Sequence, residues 1–88
     1  MFMTRAQAID RATSNTDFAR RVGVHYTMAS RIRNGKRMPS STTLSHIQTA
    51  FNIQGDLLKS MMAALDAGQT AFGAWVQEHL FSVNASSD

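Results

Sequence analysis

Cysteine is absent from the 88 residues, so neither a disulfide framework nor a thiolate metal site is available, and stability has to come from packing alone. No stretch approaches the roughly eighteen apolar residues of a membrane span. Met1-Phe2-Met3 is followed at once by Thr4-Arg5, which leaves no apolar segment behind a basic start, so no secretory leader is read and the expected location is the cytoplasm. Strand patterns are missing too. No segment alternates β-branched or aromatic residues with polar ones, whereas Ala, Met, Leu, Arg and Gln are plentiful, and an all-α fold follows. The length suits one domain over residues 1–88 and is too short for two.

Acidic residues are missing from Phe18 to Gly55. Residues 1–37 carry eight cations (Arg5, Arg11, Arg20, Arg21, Arg31, Arg33, Lys36, Arg37) against Asp10 and Asp17, a net of +6, while the rest of the chain is at −3. Such a surface attracts polyanions, although a plain solvated basic face has the same composition. Catalytic patterns are absent. His25, His46 and His79 are scattered and have no thiolate or paired carboxylate beside them, Ser14, Ser30 and Ser45 have no adjacent base, and no phosphate-binding or dinucleotide-binding loop occurs. Neither an enzyme, a cofactor, a metal nor a small-molecule ligand is expected.

Polar, turn-forming clusters divide the chain into six segments of helical length. The first, 4–13, offers Ala6, Ile9 and Ala12 at helical spacing, with Phe2 as a neighbour. Ser14-Asn15-Thr16-Asp17 has the form of a capping box, so a second helix starts near Asn15, turns Phe18, Ala19 and Val22 inward, and stops at Gly23. The third, from about His25 to Asn34, has Ala29, Ile32 and Met28 as inward candidates. An extended basic link, Lys36-Arg37-Met38-Pro39, leads to a fourth helix capped by Ser40, with Leu44, Ile47, Ala50 and Phe51 inward. A fifth follows Ile53 with Leu57, Leu58, Met61, Met62 and Leu65 and ends at Gly68. A sixth, 70–83, carries Phe72, Trp75, Val76, Leu80 and Val83, before a frayed tail at 84–88. The large apolar stripe of this last helix has two homes open to it, singly or together: the chain's own core, and a symmetric dimer contact through Phe72, Trp75, Val76 and Leu80. Either way Trp75 is expected to be buried.

Two short helices joined by a glycine turn, the second with a polar outer face, make a helix-turn-helix. The spacing is specific. With Asn15 as the first position, Phe18, Ala19, Val22, Gly23, Val24 and Ile32 fall fourth, fifth, eighth, ninth, tenth and eighteenth. Ala19 is small because the helices cross there, and the apolar residues anchor the pair to what lies behind it. The segments Asp17–His25 and Ser30–Arg37, with Pro39-Ser40, Leu44 and Ala50–Leu58, resemble the Cro and phage-repressor family of helix-turn-helix proteins, the XRE family, over residues 4–66. Ala29 departs from the Val or Ile usual at its position, which implies either looser packing of the third helix or Met28 filling the space. The sixth helix lies outside the resemblance, so the expected fold is a five-helix Cro-like domain with an additional C-terminal sixth helix.

The resemblance implies that the third helix enters the major groove of double-stranded operator DNA. By position, Tyr26, Thr27, Ser30 and Arg31 become the base readers, Arg31 foremost, because a guanidinium matches guanine O6 and N7 in a bidentate pair. Tyr26 and His25 serve phosphates equally well. Asn15 and Thr16, at a helix N-terminus, and Arg33, Asn34, Lys36 and Arg37 stand where the family meets the DNA backbone. A phage or prophage repressor working by operator occupancy, as a homodimer at least on DNA, is the implied function. The competing reading is an antitoxin-like module whose sixth helix grips a protein partner while the helix-turn-helix regulates its own promoter.

Overall fold

The computed structural model describes residues 11–88. Most of the expected first helix, with Phe2, Ala6 and Ile9, lies outside the described residues. Its last three residues are not helical. Ala12 instead pairs with the C-terminal segment: its N–H donates to the Leu80 carbonyl at 2.8 Å, and the Ser82 N–H donates to the Ala12 carbonyl at 2.9 Å. This isolated parallel bridge between Ala12 and Phe81 is all the β-pairing there is among the described residues, and no strand forms. Five helices follow in order: α1 (Asn15–Val22), α2 (Tyr26–Arg33), α3 (Ser41–Ala50), α4 (Gly55–Ala67) and α5 (Gln69–His79). A sixth is not among the described residues. None of the five is long and apolar enough to cross a membrane.

The start of α1 is held by side chains. The Asp17 N–H donates to Ser14 Oγ at 3.0 Å, as the capping pattern anticipates. The carboxylate reaches back one residue further than the pattern implies, accepting from the Thr13 N–H at 3.0 Å, and it takes a second bond from Arg21 Nε at 3.1 Å. Partial burial acts to raise the Asp17 carboxyl, but the Thr13 amide and the Arg21 guanidinium outweigh it, and the net shift is below the ordinary value of 3.8. A carboxyl depressed in the folded state contributes stability above its unfolded-state value and loses that contribution as the pH falls through the folded one. Asp17→Ala is therefore expected to cost about 1 kcal/mol near neutral pH. Urea titrations of both proteins should show the gap narrowing once the pH is taken below the ordinary aspartate range; a gap that persists unchanged in acid contradicts this account of the cap.

Phe18 is the centre of the core. Its ring is fully buried and lies between Phe51, which caps the end of α3 (centroids 5.6 Å apart), and Phe81 (5.2 Å). Ile32, Ile47, Phe72, Val76 and Leu80 are also fully buried in the same cluster. The expected inward positions of α3 hold, with Ile47 and Phe51 buried and Leu44 and Ala50 packed at the margin. In α4 only Met61 is buried; Leu57, Leu58 and Leu65 are half-buried, and Met62, expected inward, is 56% exposed. The C-terminal helix is shorter than expected. It ends at His79, with the Leu80 N–H bonded to the Val76 carbonyl at 2.8 Å. Leaving the helical period there turns Phe81 inward and leaves Val83, expected on the inward stripe, fully outside.

α5 seats against α2 where two glycines meet. A Cβ on Gly73 would stand 2.6 Å from the Gly35 Cα and N and 2.9 Å from the Ile32 carbonyl oxygen. Gly35 itself takes φ +71° at the end of α2. Trp75 is buried, as expected, and its indole N–H donates to Ser60 Oγ at 2.8 Å. Phe72, Trp75, Val76 and Leu80 are thus all buried within one chain. Of the two homes open to the stripe, the chain's own core is the one it occupies, and these residues present no surface for the dimer contact.

Candidate nucleic-acid interface

Between α1 and α2 the chain turns at Gly23, which takes φ +83°, a left-handed conformation that side chains with a Cβ adopt only under strain. The Gly23 and Val24 N–H groups both donate to the Ala19 carbonyl, at 2.8 and 3.0 Å, which closes α1. Ala19 is buried. Its methyl group leaves room for α2 to cross, and Ala29 and Ile32 fix the inner side of α2 with no exposure at all. Met28 is half-buried and packs against the same core.

That arrangement determines the outer face of α2. Thr27, Arg31 and Asn34 are exposed, Tyr26 is 42% exposed and Ser30 is half-buried. The Arg31 side chain makes no hydrogen bond or ion pair among the described residues, so its exposed guanidinium stands in water, ready for a planar acceptor. His25 caps α2, with Nδ1 accepting from the Thr27 N–H at 3.1 Å. With Nδ1 accepting, Nε2 is left as the donor of this exposed ring. Lys36 and Arg37 are exposed just beyond the helix, and Thr16 is exposed at the start of α1. In α1, Arg21 is tied to Asp17, and Arg20 lies 4.0 Å from the same carboxylate.

Of the residues expected at the DNA backbone, Asn15 is buried and Arg33 is half-buried with its guanidinium taken up by acceptors within the protein. Asn15 is 3% exposed, and its Oδ1 accepts from an Arg33 Nη at 2.7 Å. The Arg33 guanidinium also donates to Gln77 Oε1 (2.6 Å) and to the carbonyls of Ser86 (2.6 Å) and Ala85 (3.3 Å), and its Cζ stands over the Phe81 ring, 3.9 Å from the centroid. Burial draws its pKa down, opposed by Tyr26, and the group stays a cation. The reason for the correction is that α5 and the chain beyond it pass along this edge of α2 and offer Arg33 acceptors inside the protein.

The same contacts correct the frayed tail. Ser86 N–H donates to the Thr13 carbonyl at 3.0 Å, the Thr16 N–H donates to the Asp88 carbonyl at 2.7 Å, and the Tyr26 hydroxyl donates to the Ser87 carbonyl. A polar cleft of about 310 Å³ remains between Tyr26, Ser30, Asn34, Gln77 and Ser87. Sequence reasoning missed Gln77, Phe81 and the tail as parts of this region. Phe81 carried a signal, being a large apolar residue next to the helical stripe; residues 84–88 carried none. Among the described residues no group of three or more His, Cys, Asp or Glu is placed to hold a metal ion.

Comparison with known proteins agrees with this geometry. A helix-turn-helix family model matches residues 6–58, more than half of the chain. No curated protein and no solved structure gives a significant match. With the turn at Gly23, the crossing at Ala19 and the open face of α2 inside the matched stretch, the chain belongs to the XRE-type helix-turn-helix family of Cro and the phage repressors, a family of DNA-binding transcription regulators.

Proposed function

We propose that this protein is a Cro-like transcriptional repressor that occupies an operator in double-stranded DNA, with α2 in the major groove. One observation carries the reading: the outer face of α2 is held rigidly by a buried inner face, and it presents Arg31 unpaired beside Thr27 and Ser30. Arg31 is the guanine reader, and Thr27 contributes a hydroxyl and a methyl to neighbouring bases. Thr16, His25 through Nε2, Asn34, Lys36 and Arg37 position the helix by their contacts with phosphates. Tyr26 joins either set. The antitoxin-like alternative drew on an exposed apolar stripe in α5, and burial of Trp75, Phe72 and Leu80 removes that support. A two-fold contact on DNA, where half-sites lie about one helical turn apart, has to use residues outside that stripe.

Binding to a random-sequence duplex tests the electrostatic part of this reading. The two cations placed on phosphates, Lys36 and Arg37, predict a fall of log affinity with log salt at a slope of about −2 for each chain bound. A slope near zero contradicts the phosphate contacts whatever the fold, and the same titration counts the chains bound per duplex.

A further inference from the structure

We propose that residues 85–88 are an autoinhibitory strap, closing over one edge of the DNA-facing surface and competing with DNA for it. The inference rests on the reading of α2 as the groove helix. Tyr26, Ser30 and Arg33 recur at helical spacing and form one edge of α2. Along that edge the strap supplies carbonyl oxygens to three donors: Arg33 to Ala85 and Ser86, Tyr26 to Ser87, and the first-turn amide of Thr16 to Asp88. A guanidinium, a phenol and a helix N-terminal amide are the kinds of donor that bind phosphate oxygens. The strap therefore satisfies, with its own backbone, groups that a DNA backbone would otherwise take.

The exchange is one that DNA can win. A carbonyl oxygen is neutral and a phosphate oxygen is charged, and hydrogen bonds to charged acceptors are roughly twice as strong. The strap is also weakly anchored. Ser86, Ser87 and Asp88 are exposed and bury little apolar surface, and only Ala85 packs against the core. Segments held in this way open locally at low cost. Asp88 adds a negative charge where the duplex has to approach. Thr27, Arg31 and Asn34 stay uncovered, so a closed strap leaves first contact possible while withholding part of the backbone clamp. The apparent affinity is reduced by the fraction of molecules whose strap is open.

The test compares the full chain with one lacking residues 85–88, by fluorescence anisotropy on a short random-sequence duplex at low salt. The shortened chain is expected to bind roughly tenfold tighter, as it would if about one strap in ten were open, and with a steeper salt dependence. Equal or weaker binding by a shortened chain that keeps its helical circular dichroism, while the full chain still binds, overturns the strap and leaves the DNA reading standing. Absence of binding by both overturns the reading and the strap together. Amide exchange on the full chain decides the matter independently of how the shortened chain folds. The Ser86 N–H, protected in the free protein by its bond to Thr13, is expected to lose protection when the duplex is added, and protection retained in the complex contradicts displacement.

Discussion

Phe18→Ala is expected to remove about 3–5 kcal/mol of folding stability, the range for deleting a fully buried aromatic ring. The ring joins three parts of the chain at once: it belongs to α1, stacks on Phe51 at the end of α3, and stacks on Phe81 beyond α5. Deletion leaves a cavity bounded by two aromatic rings whose backbones are fixed elsewhere, Phe51 by the end of α3 and Phe81 by its bridge to Ala12. Collapse of the site is correspondingly limited. A chain of this length has only about 4–13 kcal/mol of total stability at the usual per-residue rate, so the variant is expected to approach its unfolding midpoint in dilute buffer. Urea denaturation followed by Trp75 fluorescence measures this, and a loss below about 1 kcal/mol contradicts the central place given to Phe18.

Gly73→Val is expected to cost at least about 3 kcal/mol, at the upper end for overpacking. The atoms it would strike, the Gly35 Cα and N and the Ile32 carbonyl, are all backbone, so no rotamer change relieves the clash. α5 must move away from the end of α2, and the buried contacts of Phe72 and Val76 are loosened with it. The relief is expected to be local, at the seam between the two helices. Thermal melting of Gly73→Ala and Gly73→Val should give a graded loss, alanine the smaller. Near-wild-type melting of both would mean that α2 and α5 do not approach as closely as described.

These two residues also show what a sequence reader can and cannot see. The helix-turn-helix was legible because its constraints are local: a capping serine three residues before Asp17, a small residue at the crossing, a glycine at the turn, and apolar positions at helical spacing. Phe18 was legible as inward for the same reason. Gly73 was not singled out, although a lone glycine inside a helix is a packing signal, because the partner that requires it, Gly35, is far away in the chain. The stripe of α5 was legible as buried but not as to where, since periodicity marks an apolar face without naming what covers it. Residues 84–88 read as frayed from composition, since nothing in a short polar run reveals that Arg33, Tyr26 and Thr16 present donors to its carbonyls. The engagement of Arg33 is invisible for the same reason, since its acceptors Gln77, Ser86 and Ala85 come from the far end of the chain, and Asn15 follows because it accepts from Arg33 in turn.

Placement of α2 in the major groove is tested most directly by setting Arg31→Ala against Lys36→Ala on three kinds of DNA: a duplex selected from a random pool, its single-base variants, and a random duplex, each at two salt concentrations. Base contacts carry sequence information, and phosphate contacts weaken all sites alike. Arg31→Ala is expected to cost about 1–3 kcal/mol on the selected duplex and to relax preference at one base pair, with much less effect on random DNA. Lys36→Ala is expected to weaken selected and random DNA together and to reduce the salt slope by about one. Uniform weakening by Arg31→Ala combined with altered base preference in Lys36→Ala would contradict the placement of α2 in the groove.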